Sequence, residues 1–351
     1  MTNNIIVTTT INEPTEAIKA YDNMPGWHLI VTGDVKTPED FELENGTFIS
    51  DEEQRKKWPE LYFLIGPNCI QRGRLMAYLA AAEQGAEMVA TVDDDNIPMP
   101  WWDTNNIGLA YSNVYITHNT RLTAFDIMSI RGKRSKHVWH RGFPPKQKKP
   151  MMECCVNTMN HRFMDNCICL QQNLWSGTPD VDALCKYNAQ IYHKSIDNYF
   201  KGDAELYENN MTYYAHDLFL PINTQNTFIK ASHLIDFPAW PFIGRNDDIW
   251  GGYWFQAMHG FGSAVYGPVT VRHDRHETDL LEDMKAEMYG YRNTELFLQH
   301  LKDKRYGKAL ELLPPDSVEA IICWANLLKD IQGNNCYLKD VKKRYEDYLA
   351  S

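Results

Sequence analysis

An apolar run from Met88 to Val92 ends in three consecutive carboxylates, Asp93, Asp94 and Asp95, within the stretch VATVDDDNIPMP. The run reads as a buried β-strand, yet three adjacent aspartates should repel one another at neutral pH. Upstream, Leu75, Tyr78, Leu79 and Ala82 share one face of a helix that Gly85 can terminate before the strand begins. The start of the chain has the same scheme. NIIVTTT reads as a strand, EPTEAIKAYDNM as a short helix and GWHLIVTGD as a second strand closed by Gly33 and Asp34. This alternation predicts an α/β fold with a mostly parallel sheet flanked by helices. Such sheets bind ligands beyond the carboxyl ends of their strands, which is where the aspartates lie.

From residue 101 to about 277 the pattern is less regular, rich in aromatics and turn residues, with strand-like pieces such as NVYITHN and SAVYGPVTVRH. This region is expected to complete the same sheet, so that residues 1–277 form one catalytic unit. Residues 278–351 contain three amphipathic segments, the first two separated by Pro314 and Pro315, and are expected to form a C-terminal helical appendage. With 351 residues, 44% of them hydrophobic, the chain can bury a sizeable core. Its formal net charge of −11 argues against general binding to nucleic acid or an anionic membrane. The eight cysteines lack paired CxxC spacing and disulfide-scaffold density, which predicts reduced thiols and a cytoplasmic setting. The group at Cys154, Cys155, Cys167 and Cys169 reads as a thiol cluster in preference to a metal site. No basic-flanked leader and no apolar run of about 18 residues occurs, so neither export nor a membrane span is expected. The sequence leaves the oligomeric state open and admits a homo-oligomer.

Clustered carboxylates become tolerable beside a divalent cation, and magnesium or manganese selects oxygen ligands. The triple aspartate is therefore a candidate metal and diphosphate site, with a solvated turn as the competing reading. A second acidic pair, Asp247 and Asp248, precedes a predicted helix in IGRNDDIWGGYWFQAM. Either aspartate could cap that helix, or serve as a base held on a rigid element against an acceptor hydroxyl. His273 ends a predicted strand, where a neutral imidazole could ligate a metal. Between Arg131 and Lys149 lie eight Lys or Arg and no acid. A solvated loop or a diphosphate-binding loop fits that run better than a nucleic-acid surface, since Trp139 is its single stacking aromatic. Trp101, Trp102, Trp175, Trp250 and Trp254 offer flat faces suited to sugar rings, although most tryptophans of such a chain are expected in the core.

Six blocks, ATVDDDN, WHRGFP, NLWSGTPDVDAL, PINTQNTFI, NDDIWGGYW and TVRHDRHE, occur in the order found in STELLO-type proteins, a group assigned to the glycosyltransferases. The opening PTEAIKAYDNMPGWHLIVTGDVKTP also resembles theirs, so the likeness covers residues 14 to about 300. Several blocks further resemble reversibly glycosylated polypeptides, which are UDP-arabinopyranose mutases. The resemblance implies a GT-A fold, a Rossmann-like domain in which a DxD-type motif holds Mn2+ or Mg2+ on the diphosphate of a nucleotide sugar, expected to be a UDP-sugar. It further implies Asp95 and His273 as metal ligands with Asp93 beside them, and Arg141 at the position of the arginine that mutases glycosylate. Thr8, Thr9, Thr10, Asp34 and Asp94 stand where such folds hold the nucleotide, and Arg72 and Arg74 are placed to approach its phosphates. The implied activity is transfer to a glycan, polysaccharide or other hydroxyl acceptor, with Asp248 as first choice of base and Asp247 as second. The alternatives are a nucleotide-sugar mutase acting through Arg141, a non-catalytic partner of another glycosylating enzyme and, more weakly, a metal-dependent phosphohydrolase. Residues 142–171 and the C-terminal helices depart from the mutase pattern, and STELLO-type proteins carry a membrane anchor that this sequence lacks.

Overall fold

The structure is a computed structural model that describes residues 3–67, 69–103, 111–117, 121–128, 139–153, 156–162, 168–192, 212–273, 279–333 and 341–350. Its strands are β1 (Asn4–Thr10), β2 (Trp27–Gly33), β3 (Thr47–Ile49), β4 (Met88–Val92), β5 (Asn96–Pro98), β6 (Tyr111–Thr117), β7 (Val156–Arg162), β8 (Leu170–Gly177), β9 (Thr212–Ala215), β10 (Asn226–Lys230) and β11 (Ala264–His273). They form one sheet in the order β3-β2-β1-β4-β10-β8-β11-β9-β6-β7, with β5 paired to β11 beside that path. The described strands β6 to β11 thus continue the sheet begun by the first hundred residues. The sheet is parallel from β3 to β4, but β10 runs antiparallel to both β4 and β8, and β8 is again parallel to β11. The expectation of a mostly parallel sheet therefore holds for the first four strands, and the whole is mixed. The reversal arises because β10 enters the sheet from the same end at which β4 leaves it: Asn226 faces Val92, and Lys230 faces Met88.

The helices are α1 (Glu16–Asp22), α2 (Asp51–Lys57), α3 (Pro59–Ile65), α4 (Ile70–Glu83), α5 (Lys148–Met152), α6 (Ala183–Tyr192), α7 (Asp247–His259), α8 (Leu280–Lys302), α9 (Tyr306–Leu310), α10 (Pro315–Gln332) and α11 (Val341–Leu349). Local signals account for several of them. Thr15 caps α1 by accepting from the Ile18 N–H, and Ser50 and Glu53 form a reciprocal capping box at α2. Asp279 accepts from the Leu281 and Glu282 N–H groups at the start of α8. The C-terminal helices are packed against the rest of the fold. Trp324 of α10 is fully buried and its indole N–H donates to the Leu75 carbonyl of α4, while Phe297 of α8 stacks on Trp250 of α7 with ring centroids 4.0 Å apart. Among the described residues no helix is long and apolar enough to cross a membrane. Cys154, Cys155, Cys167 and Cys336, and residues 131–138 of the basic run, lie outside the described residues. Cys69, Cys169, Cys185 and Cys323 form no disulfide among the described residues.

Of the five tryptophans offered as sugar platforms, Trp102, Trp175, Trp250 and Trp254 are fully buried. Trp101 is 39% exposed, with its indole N–H donating to the Val269 carbonyl. The paired glycines of NDDIWGGYW have a packing role as well. A β-carbon on Gly251 would lie 2.0 Å from the Pro238 carbonyl oxygen, and one on Gly252 would lie 2.3 Å from that of Ile222. Both neighbours are backbone atoms that cannot turn aside. Gly251→Ala is expected to cost at least the ~1–3 kcal/mol of an overpacked core, read as a lower midpoint in urea unfolding. A midpoint equal to wild type would show that α7 can move off Pro238 at no cost.

Candidate functional site

The carboxyl ends of β1, β4 and β8, together with β11 and the turn into β10, converge on one polar cluster. Antiparallel pairing sets His273, the last residue of β11, opposite Asn96 of β5, and so brings the imidazole to the neighbouring Asp95. His273 Nε2 lies 3.2 Å from Asp95 Oδ2, and Nδ1 lies 2.7 Å from the Thr178 carbonyl oxygen. A carbonyl only accepts, so Nδ1 carries the proton and donates it. In the neutral ring Nε2 is then bare and faces a carboxylate oxygen, and a gap between two acceptors fits a cation, either a proton or a metal ion. Gly177 makes this approach possible. Its φ is +87°, and a β-carbon there would sit 2.5 Å from the His273 carbonyl oxygen.

Among the described residues no three His, Cys, Asp or Glu side chains converge as a closed metal cage. Two protein ligands suffice where phosphate oxygens and waters complete the shell, as is usual for magnesium. Asp93, expected beside the metal, is instead gripped by Arg74: the guanidinium donates to Asp93 Oδ1 at 2.8 Å, to Thr91 Oγ1 at 2.7 Å and to the Thr224 carbonyl at 3.1 Å. Burial pushes the Asp93 carboxyl up, and Arg74 opposes that shift.

Asp94 turns the other way, toward the end of β1. Its carboxylate accepts from Thr10 Oγ1 and, at 3.0 Å, from Asn12 Nδ2. Beside it lies a cavity of about 430 Å³ lined by Thr9, Thr10, Asn12, Asp34, Lys36 and Gln71, with Ile11 and Ile70. Thr37 fixes one wall by donating to the Thr10 carbonyl at 2.6 Å and accepting from the Asp34 N–H at 2.8 Å. The cavity opens at the head of α4, so Gln71 of its first turn faces both the cavity and the second acidic pair.

That pair is asymmetric. Asp248 is buried and ion-paired: Arg141 donates to its two oxygens at 3.2 and 3.4 Å, and Thr224 adds its N–H at 3.1 Å and its hydroxyl at 3.0 Å. The Arg141 and Arg74 guanidiniums hold this carboxyl below the usual carboxylate range, against the cost of burial. Asp247 is as buried but lacks this clamp. Burial and the Asp248 charge push its carboxyl up to about 7, opposed by Arg141, Gln71 and Arg74. Neither aspartate caps α7, whose N-cap position is Asn246 without a side-chain bond.

Arg141 is committed on all sides. Besides Asp248 it donates to both oxygens of Asp180, at 3.1–3.2 Å, and to the Arg245 carbonyl. Arg245 in turn pairs with Asp283 and Glu287 of α8. Two close approaches seal this joint: a β-carbon on Gly244 would lie 1.9 Å from the Ala286 carbonyl, and one on Gly290 within 2.3 Å of the Asn246 side chain. The first C-terminal helix is therefore a brace behind the loop that presents Asp247 and Asp248.

The structure brings Asp93, Asp95, His273, Arg74, Arg141, Asp247 and Asp248 into the cluster, and Thr9, Thr10, Asp34 and Asp94 to the cavity. It does not bring Arg72 or Thr8. Arg72 is fully buried, donates to Asp51 at 2.6 Å and to the Gly66 carbonyl at 2.7 Å, and lies over the Tyr62 ring, so its charge is spent inside the α2–α3–α4 corner. Thr8 is buried within the sheet, and its hydroxyl reaches the neighbouring Thr9 carbonyl at 3.5 Å. Sequence reasoning missed Asp180, Asn223, Thr224, Arg245 and Gln71. The block PINTQNTFI carried the signal for two of these. Asn223 donates to Asp180 at 2.9 Å, Thr224 holds Asp248 and Arg74, and the Gln225 carbonyl accepts from the Asp93 N–H.

No family model matches the chain. It is 25% identical over 306 residues to Probable glycosyltransferase STELLO2 of Arabidopsis thaliana, a match covering 80% of this chain and 37% of that protein. It is also 25% identical over 292 residues to Probable glycosyltransferase STELLO1 of the same plant, covering 78% and 36%. The chain thus spans well under half the length of the curated relatives it matches. Among solved structures it is similar to glucosyl-3-phosphoglycerate synthase from Mycobacterium tuberculosis in complex with phosphoglyceric acid, at 14% identity and a TM-score of 0.45 over 86% of this chain and 80% of that one. The complex of that synthase with Mn2+, UDP-glucose and phosphoglyceric acid gives 13% identity and a TM-score of 0.43 over 86% and 79%. The fold is α/β, a mixed sheet flanked by helices with its polar cluster at the strand ends. By sequence, over about four-fifths of its length, the chain is similar to the two probable STELLO glycosyltransferases.

Proposed function

We propose that this chain is a metal-dependent glycosyltransferase that moves a sugar from a UDP-sugar to a hydroxyl of a glycan or similar acceptor. The observation that carries the reading is the approach of His273 Nε2 to within 3.2 Å of Asp95 Oδ2, two acceptors with room for a cation between them, at the same strand ends as the buried acidic pair Asp247 and Asp248. A divalent ion held by Asp95 and His273 would offset the charge that builds on the leaving diphosphate. The cavity edged by Thr10, Asp34 and Asp94 would receive the nucleoside. Asp247 is the base we favour, reversing the order that the sequence suggested. A general base works best with a pKa near the working pH, which suits Asp247, whereas Asp248 is fully engaged by Arg141 and Thr224.

Arg141 bears on the mutase alternative. To accept a sugar its guanidinium must lose a proton, but Asp180 and Asp248 hold its pKa well above the usual arginine value. Its guanidinium is engaged by Asp180, Asp248 and the Arg245 carbonyl. Transfer to an external acceptor therefore fits this arginine better than self-glycosylation does.

The test is a thermal-shift panel of nucleotide sugars with and without manganese, since a ligand that binds only the native state raises its melting temperature. A UDP-sugar that raises the melting temperature with manganese, and much less without it, is the expected outcome. A panel with no responding donor under either condition would count against the reading and favour the non-catalytic partner.

A further inference from the structure

We propose that this chain associates head to tail with a second copy of itself, the exposed face of α8 on one copy seating in an acidic groove between α3 and α10 of the next. Neither surface includes a residue of the polar cluster or of the donor cavity, so the association is independent of the chemistry at the strand ends. α10 carries two apolar faces where a helix at the edge of a fold needs one. Val318, Ile321, Trp324, Ala325 and Leu328 are buried, and the Trp324 indole ties that face to α4. On the other side Glu319, Ile322, Cys323, Asn326, Leu327 and Asp330 follow the i, i+3, i+4, i+7, i+8, i+11 spacing of a single stripe, and line a groove of about 680 Å³. Across the groove α3 supplies Leu64, Glu60 and Phe63, whose ring is 73% exposed and leaves a large apolar area in water. None of the nine lining residues is cationic.

An amphipathic helix that sets cations among apolar side chains complements such a groove. The described surface holds one. On α8 the buried side includes Gly290, Thr294, Phe297 and Leu301, while Leu281, Lys285, Met288, Arg292 and Leu296 repeat at i, i+4, i+7, i+11 and i+15 on the exposed side. Leu281, Met288 and Leu296 are all large apolar side chains left exposed. At 1.5 Å per residue, Glu319 and Asp330 stand about 16 Å apart along α10, and Lys285 and Arg292 about 10 Å apart along α8. The cations therefore fall between the carboxylates, and their long stems can lie on the apolar floor while each head reaches an acid. The acids beside the stripe are already engaged, Glu282 with Lys285 at 2.5 Å and Glu295 with Lys146 at 3.3 Å. Both are exposed pairs of little stability that yield readily to a new partner. A second copy is the favoured occupant because both halves, opposite in charge and matched in apolar spacing, stand on the same molecule. Face and groove are different elements, so the contact is heterologous and continues as a chain or closes as a ring.

The experiment is sedimentation-velocity centrifugation of the full chain over about a hundredfold range of micromolar concentration, the region in which a small helix-in-groove interface dissociates. Two variants are changed at exposed positions only. Glu319→Lys with Asp330→Lys reverses the charge of the groove, and Met288→Ser with Leu296→Ser removes apolar anchors from the face. We expect the average mass of the wild type to rise with concentration past twice the monomer, and each variant alone to stay at the monomer mass. An equimolar mixture of the two variants should form a species of twice the monomer mass and nothing larger, because one variant keeps an intact face, the other keeps an intact groove, and the altered halves no longer match. That complementation also shows that both variants are folded. A wild type that stays monomeric throughout would overturn the proposal and leave the groove to a different protein. A variant that still self-associates, or a mixture that stays monomeric while the wild type associates, would overturn the pairing of these two surfaces.

Discussion

Asp247→Asn is expected to lower transfer by roughly the 10²- to 10⁴-fold that accompanies loss of a general base, while making the protein more stable above neutral pH. The second effect follows from the raised carboxyl. In the unfolded chain Asp247 loses its proton near the ordinary aspartate value of 3.8, whereas in the folded protein burial pushes that carboxyl up to about 7. Between those values the native state holds more protons than the unfolded state, so stability falls as pH rises through the window. Above pH 7 the wild type bears the whole of that cost, on the order of a few kcal/mol, and the neutral asparagine does not. At pH 4 the two proteins should melt together. Asp248→Asn should behave in the opposite sense, because it removes one of the two carboxylates that hold the buried Arg141. Breaking a buried ion pair typically costs about 3–5 kcal/mol, so this variant should lose stability at pH 8. Thermal melts at pH 4 and pH 8, with activity at each, separate the pair: an Asp247→Asn protein that is active, or that is destabilised at pH 8, would contradict the assignment.

Asp95→Ala and His273→Ala are expected to abolish the manganese dependence of UDP binding while the protein stays folded. Each contributes one side to the acceptor gap, and neither leaves a buried charge stranded, since Asp95 is partly solvent-exposed and His273 retains its backbone pairing with Asn96. Asp93→Ala should differ from both. It would leave Arg74 buried without its carboxylate, and so should cost stability before it costs metal affinity. Calorimetric titration of manganese into each variant with UDP present distinguishes a ligand from a structural partner.

The sheet was legible because its signals are local. An apolar run ending in carboxylates, preceded by a helix with one apolar face and a terminal glycine, specifies strand and crossover without further information, and β4, α4, β11 and α10 lie where the pattern puts them. The antiparallel turn of β10 was not legible, since TQNTFIK reads the same in either direction and only its neighbours decide. The site was half legible for a related reason. Aspartates in sequence blocks announce themselves by type, but Arg72 and Arg74 are two residues apart on one helix and indistinguishable by chemistry. Their different partners, Asp51 for one and Asp93 for the other, come from opposite sides of α4. Likewise the choice between Asp247 and Asp248 depends on Arg141, about a hundred positions away, and on Thr224, whose hydroxyl gives no hint of its partner in the sequence. Gly251 and Gly252 read as part of a catalytic block, yet they are there so that α7 can touch two backbone carbonyls.

The central claim is that one end of this sheet forms a nucleotide site completed by a divalent cation between Asp95 and His273. Isothermal titration of UDP into the wild-type chain, with manganese and then with excess chelator, tests it most directly. The account predicts saturable one-to-one binding with manganese that weakens at least tenfold on chelation in the wild type, and no such difference in Asp95→Ala. Equal affinity with and without manganese in the wild type, or an undiminished manganese effect in Asp95→Ala, would contradict it.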